Sequence, residues 1–290
     1  MRWERGSSNR NIEDRRGMRA GGGGGFRMGG GMGLGGLVLM LVLSLVFGRN
    51  VLDGGGGGSP VPTQSSGEVG APVSETASEA ESRELSTWVL NNAQERWAQL
   101  LPRAFNQPYR DARLVFFRQV VQSGCGTAQS AMGPFYCPLD ERAYIDLGFY
   151  DELRERFGAP GDFAQAYVLA HEVGHHVQNV LGTSTRVREL QERRRGDANT
   201  LSVRLELQAD CYAGVWANGI RAEGRLDPGD VEEGLGAAAA VGDDRLQRQS
   251  GGSVNPESFT HGTSEQRMTW FRRGFESGDP RNCDTFAGGI

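Results

Sequence analysis

The chain has 290 residues and a formal net charge of −5, and its basic residues are all arginine. Residues 1–49 hold eight Arg against three acids, so the remainder carries −10. That acidic balance argues against a nucleic-acid partner, which needs a basic face. The four cysteines include no C-x-x-C pair, which argues against a cysteine-built zinc site.

In chain order, an Arg/Gly-rich N-terminus over residues 1–30 comes first. From Met28 to Gly48 there are 21 residues without a charge. A transmembrane helix over 31–48 is expected, since a span needs about 20 apolar residues. The arginines before it place the N-terminus in the cytoplasm and the rest of the chain outside. A cleaved signal peptide is the alternative, but no clear small-residue cleavage site follows the apolar run. Residues 49–83 are rich in Gly, Ser and Pro and read as a disordered tether.

The folded domain is expected over 84–290. Val89, Ala93, Trp97 and Leu101 recur every four residues, which is a helix face that Pro102 should end. Arg113–Val121 reads as a strand and Tyr144–Leu147 as a second, with a loop from Cys125 to Pro138 between them. Within it, Gly133–Pro138 could frame a cleft or be a disulfide-pinned loop. A helix should run from Phe163 to Val180, begun by the Asp162/Gln165 pair and stopped by Gly182. Further helices are expected over Ser202–Arg221, from Asp227–Pro228 to about Gly251, and from a Thr263/Gln266 capping box to Gly278. The fold class is α+β: mostly helical, with a small sheet.

The helix Phe163–Val180 carries H-E-x-x-H at His171, Glu172 and His175. Residues four apart share a helix face, so both imidazoles can reach one Zn2+. Glu172 lies beside them and can take a proton from an activated water. The segment Leu205–Asp210 supplies E-x-x-x-D. Glu206 is the candidate third ligand, and Asp210 the partner that orients a ligand histidine. Apolar neighbours leave this acidic pair little solvated surface. His261 precedes the last helix and is a candidate transition-state stabiliser or a packing residue. His176 must point away from His175 and reads as packing or as support for the ligands.

Several strings resemble one bacterial family: Gly133-Pro-Phe-Tyr-Cys-Pro138, Tyr144–Leu147, Gly161–Tyr167, His171–Gln178, Glu206–Cys211, Gly242-Asp-Asp-Arg245 and Phe259–Gly262. The family is the putative neutral zinc metallopeptidases, single-pass membrane proteins, and the likeness covers residues 85–287. The resemblance implies a zincin-like fold with a glutamate ligand, similar to the catalytic half of thermolysin.

The reading is therefore a membrane-anchored zinc metallopeptidase acting on a peptide or protein substrate. His171, His175 and Glu206 are its metal ligands, Glu172 its general base, and Asp210 and His261 its supports. The alternative is a non-catalytic, membrane-tethered binding or assembly module with a structural zinc. If the domain lies outside the cytoplasm, the expected disulfides are Cys125–Cys137 and Cys211–Cys283; four buried thiols are the alternative.

Overall fold

The computed structural model describes residues 1–18, 73–159, 161–249, 253–288 and 290. The expected transmembrane helix, 31–48, lies outside the described residues. Among the described residues, no helix is long and apolar enough to cross a membrane.

The architecture is α+β, as expected. Four strands form one sheet: β1 (Ile12–Asp14), β2 (Arg113–Phe117), β6 (Arg142–Asp146) and β5 (Phe135–Cys137), in the order β1-β2-β6-β5. The first three are parallel, and β5 is an antiparallel edge strand. A separate hairpin joins β3 (Val120–Ser123) to β4 (Gly126–Gln129). The helices are α1 (Ala77–Phe105), α2 (Gly148–Glu155), α3 (Asp162–Val180), α4 (Thr183–Arg193), α5 (Ala198–Ala222), α6 (Asp230–Ala240), α7 (Asp243–Gln249) and α8 (Ser264–Ser277).

The N-terminal boundary of the domain differs from expectation. The tether was expected to reach residue 83, but α1 begins at Ala77, because Thr76 and Glu79 close a capping box. The domain also does not begin at 84. Residues 1–18 pack on it, with Ile12, Glu13 and Asp14 in register with Leu114, Val115 and Phe116. The amino group of Met1 lies 2.9 Å from Asp162 Oδ1 and 3.2 Å from Asp230 Oδ1.

Other boundaries shift for local reasons. Pro102 lies inside the last turn of α1, where it gives up one amide bond to the Ala98 carbonyl, and the helix continues to Phe105. The strand expected over Arg113–Val121 breaks because Gln119 takes φ 61°, and its end pairs in the hairpin instead. Part of the expected Cys125–Pro138 loop forms β4 and the edge strand β5. Asp162 is the first residue of α3 rather than its cap; Gly161 is the cap, and Asp162 binds the Met1 amino group. The Ala-rich helix starts at Asp230 and stops at Ala240, where α7 takes over. The capping box at Thr263 and the stop at Gly278 are as expected.

The core lies between α3 and the helices around it. Leu169, Val173 and Val177 of α3 and Leu207, Ala213 and Ala217 of α5 are fully buried. A helix apolar on most faces has to be covered on most faces. Gly174 allows the close approach of the two: a Cβ there would meet the Ala209 carbonyl oxygen at 2.9 Å. Gly274 of α8 does the same against Cys211, where a Cβ would sit 1.9 Å from the carbonyl oxygen.

Two disulfides hold the expected pairs, Cys125–Cys137 and Cys211–Cys283. The first ties the β3–β4 hairpin to β5, and the second ties the C-terminal segment to α5. The sequence separations are 12 and 72 residues. On a chain-entropy basis the bridges contribute about 3 and about 4 kcal/mol respectively. Replacing Cys211 and Cys283 together by Ser should therefore lower the urea midpoint more than the same change at Cys125 and Cys137. An equal or reversed order in denaturation curves would contradict this.

Candidate metal centre

Helices α3 and α5 bring the H-E-x-x-H and E-x-x-x-D residues face to face. Their close packing at Gly174 sets His171 and His175 opposite Glu206. The Nε2 atoms of the two histidines are 3.1 Å apart. Glu206 Oε2 is 3.3 Å from His171 Nε2, and its Oε1 is 3.5 Å from His175 Nε2. A tetrahedral zinc with bonds of 2.0–2.1 Å spaces its ligand atoms about 3.3 Å apart. The three atoms therefore have the spacing that a zinc ion requires.

The hydrogen bonds fix which ring nitrogens face the centre. His171 Nδ1 donates to Asp210 Oδ1 at 2.8 Å. His175 Nδ1 donates to Gln178 Oε1 at 2.9 Å. The orientation of Gln178 is set in turn, because its amide nitrogen donates to the Leu205 carbonyl at 2.7 Å. Both imidazoles thus turn Nε2 towards each other and towards a carboxylate. Three polar atoms converging this closely call for positive charge between them, carried by a proton or by a metal ion.

The electrostatics agree. Burial alone would lower His171, yet Asp210 and Glu206 raise it to about 10. Burial opposes ionisation of Glu206, but His175 and His171 hold it well below the usual carboxylate range. The pocket is a well for positive charge. Glu172 differs: burial raises it, and the two histidines only partly offset this. Its Oε2 is buried and has no hydrogen-bond partner.

Beneath the centre lies a buried charge pair. Asp210 is fully buried and Arg267 of α8 is 3 % exposed. The guanidinium grips the carboxylate through two bonds, Nε to Oδ2 at 2.8 Å and Nη2 to Oδ1 at 2.9 Å. The Tyr167 hydroxyl also donates to Asp210 Oδ1, at 2.5 Å. Arg267 and Tyr167 had no role in the sequence reading. The signal for Arg267 was its spacing, four before Phe271 and eight before Phe275, on the buried face of α8.

His261 lines the same cleft, which encloses about 570 Å³. Its Nδ1 bonds Asp243 Oδ1 at 3.0 Å, and the other Asp243 oxygen accepts the amides of Thr260, His261 and Gly262. Asp243 entered the sequence analysis only within the string Gly242–Arg245, with no role assigned to it. Burial would lower His261, while the Asp243 hydrogen bond and the charge of Glu206 raise it. His176 takes the packing role. Its Nε2 donates to the Arg110 carbonyl at 2.6 Å, so Nδ1 accepts from the Tyr136 hydroxyl at 2.9 Å, which pins β5 beside α3. Gly133–Pro138 both borders the cleft and carries the disulfide.

Among the described residues one other group has metal-ligand spacing, Asp162, Asp230 and Glu233. It offers carboxylates alone, and the Met1 ammonium already contacts two of them.

A two-histidine, one-carboxylate cluster in an open cleft, with a further carboxylate beside it, is a donor set that fits a single zinc ion. The chain belongs to the family described as "Putative neutral zinc metallopeptidase", whose model matches residues 1–286. It is 48 % identical over 296 residues to "Uncharacterized protein YpfJ" of Escherichia coli K12, covering all of both chains. It is 46 % identical over 208 residues to "Uncharacterized protein Rv2575" of Mycobacterium tuberculosis H37Rv, covering 68 % of each. No solved structure matches significantly.

The hydrogen bonds to His171 generate a prediction. Asp210→Asn should weaken zinc affinity 10- to 100-fold, the usual effect of losing an orienting carboxylate. Competition with a zinc chelator measures this. Arg267→Ala should destabilise the fold by about 3–5 kcal/mol, because it strands a buried carboxylate. Unchanged affinity in the first variant, or an unchanged melting curve in the second, would contradict the assignment.

Proposed function

We propose that this protein is a zinc-dependent metallopeptidase that hydrolyses peptide bonds in peptide or protein substrates. The observation that carries the proposal is Glu172. A metal held for structure alone needs no additional carboxylate, and a buried oxygen without a partner is costly. Glu172 keeps such an oxygen beside the metal ligands, at the floor of a cleft that opens to solvent. The rival, a binding or assembly module with a structural zinc, would call for a fourth protein ligand in the cluster. Among the described residues, the ligand group is His171, His175 and Glu206 alone.

In this reading His171, His175 and Glu206 would hold the zinc, which would supply Lewis acidity and bring the pKa of water to about 7. Glu172, raised by burial, accepts the proton of the attacking water. It then returns that proton to the leaving amine as the C–N bond breaks. His261 acts on the carbonyl oxygen. Its Nδ1 is held by Asp243, and with a proton on Nε2 the ring would donate to the oxygen as negative charge builds there. Asp210, itself gripped by Arg267, orients the His171 ring so that Nε2 faces the metal position.

The variants separate these roles. Glu172→Gln should keep about one zinc per chain while peptide hydrolysis falls by about 10²–10⁴, the range of a lost general base. His261→Ala should lower kcat by about 10²–10³, with KM little changed, as for a lost oxyanion donor. Turnover by Glu172→Gln equal to that of the unaltered protein, on any peptide that is cleaved, would overturn the mechanism.

A further inference from the structure

The sheet begins with a strand from the far side of the apolar run. β1 precedes Met28–Gly48 in sequence, whereas β2 follows it. The two strands are joined by backbone hydrogen bonds, including Leu114 N–H to the Asn11 carbonyl at 2.9 Å and Arg15 N–H to the Phe116 carbonyl at 2.8 Å. The segment is held elsewhere too. Arg16 is 8 % exposed and bonds both Asp14 and Glu75, and the Met1 amino group sits at the start of the helix that carries His171 and His175. The family match covers residues 1–286 and so includes this segment.

Paired strands lie about 4.8 Å apart, and a hydrocarbon core is about 30 Å thick. One crossing between β1 and β2 would pull the pair apart. Two crossings would need about 40 apolar residues, and the interval offers one uncharged run of 21. We propose that residues 1–18 and 77–290 lie on the same side of the membrane. The single-pass arrangement expected from the arginine flank would put them on opposite sides.

Arg5 and Glu81 provide the test. Their side chains form an ion pair at 2.6 Å and are 70 % and 56 % exposed. In the full chain, Arg5→Cys with Glu81→Cys is treated in intact cells with a permeant bismaleimide, and a protease site placed in Gly54–Gly58 is then cut. The expected result is that the N-terminal piece stays joined to the domain, which neither single-cysteine variant should show. An impermeant maleimide applied to intact cells should label both single-cysteine variants or neither. Labelling of one position alone, or separation of the pieces despite the crosslinker, would overturn the proposal. The labelling arm stands even if the double variant folds poorly, and both arms are independent of peptidase activity.

Discussion

A carboxylate with no access to water decides how this domain is built. Asp210 accepts from His171, Tyr167 and Arg267, donors that come from α3 and α8. A buried charge is tolerable only when paired and fully hydrogen-bonded. Satisfying Asp210 therefore fixes the mutual placement of α3, α5 and α8. The same bonds set the tautomer of His171 and hence the direction of its Nε2 lone pair. Packing and metal chemistry here share one constraint. The glycines at 174 and 274 are its steric counterpart, since they let the helix backbones come close.

The two sides of the cleft are supported by different means. On one side Asp243 collects three backbone amides and the His261 ring, so a loop residue is held as firmly as a helical one. On the other, His176 and Tyr136 join the metal helix to the edge strand β5, and the Cys125–Cys137 bridge anchors that strand from behind. The residues that would act on a substrate thus sit on rigid supports, with Glu172 left free of hydrogen bonds at one carboxylate oxygen.

Much of the centre was legible in the sequence because helical spacing is a strict geometric rule. His171 with His175, and Glu206 with Asp210, each had to share a face, and apolar neighbours made both faces internal. Arg267 and Asp243 were not legible in this way. Each forms its decisive bond with a residue far along the chain, and local spacing carries no record of that. The helices were largely foreseen from periodicity, while their ends moved where a tertiary partner competed with a cap, as at Asp162. The β1 strand was missed for a related reason. Three residues in an arginine-rich segment have no pattern of their own, and they become a strand only because β2 offers an open edge.

The central claim is that α3 and α5 build a three-ligand site with one position left open. Anomalous diffraction at the zinc absorption edge, from crystals of the full chain supplied with zinc, tests it most directly. The account predicts a single peak about 2.0–2.2 Å from His171 Nε2, His175 Nε2 and a Glu206 oxygen, with a non-protein ligand in the fourth position. A fourth protein side chain closing the coordination shell, or no peak between the two helices, would contradict it.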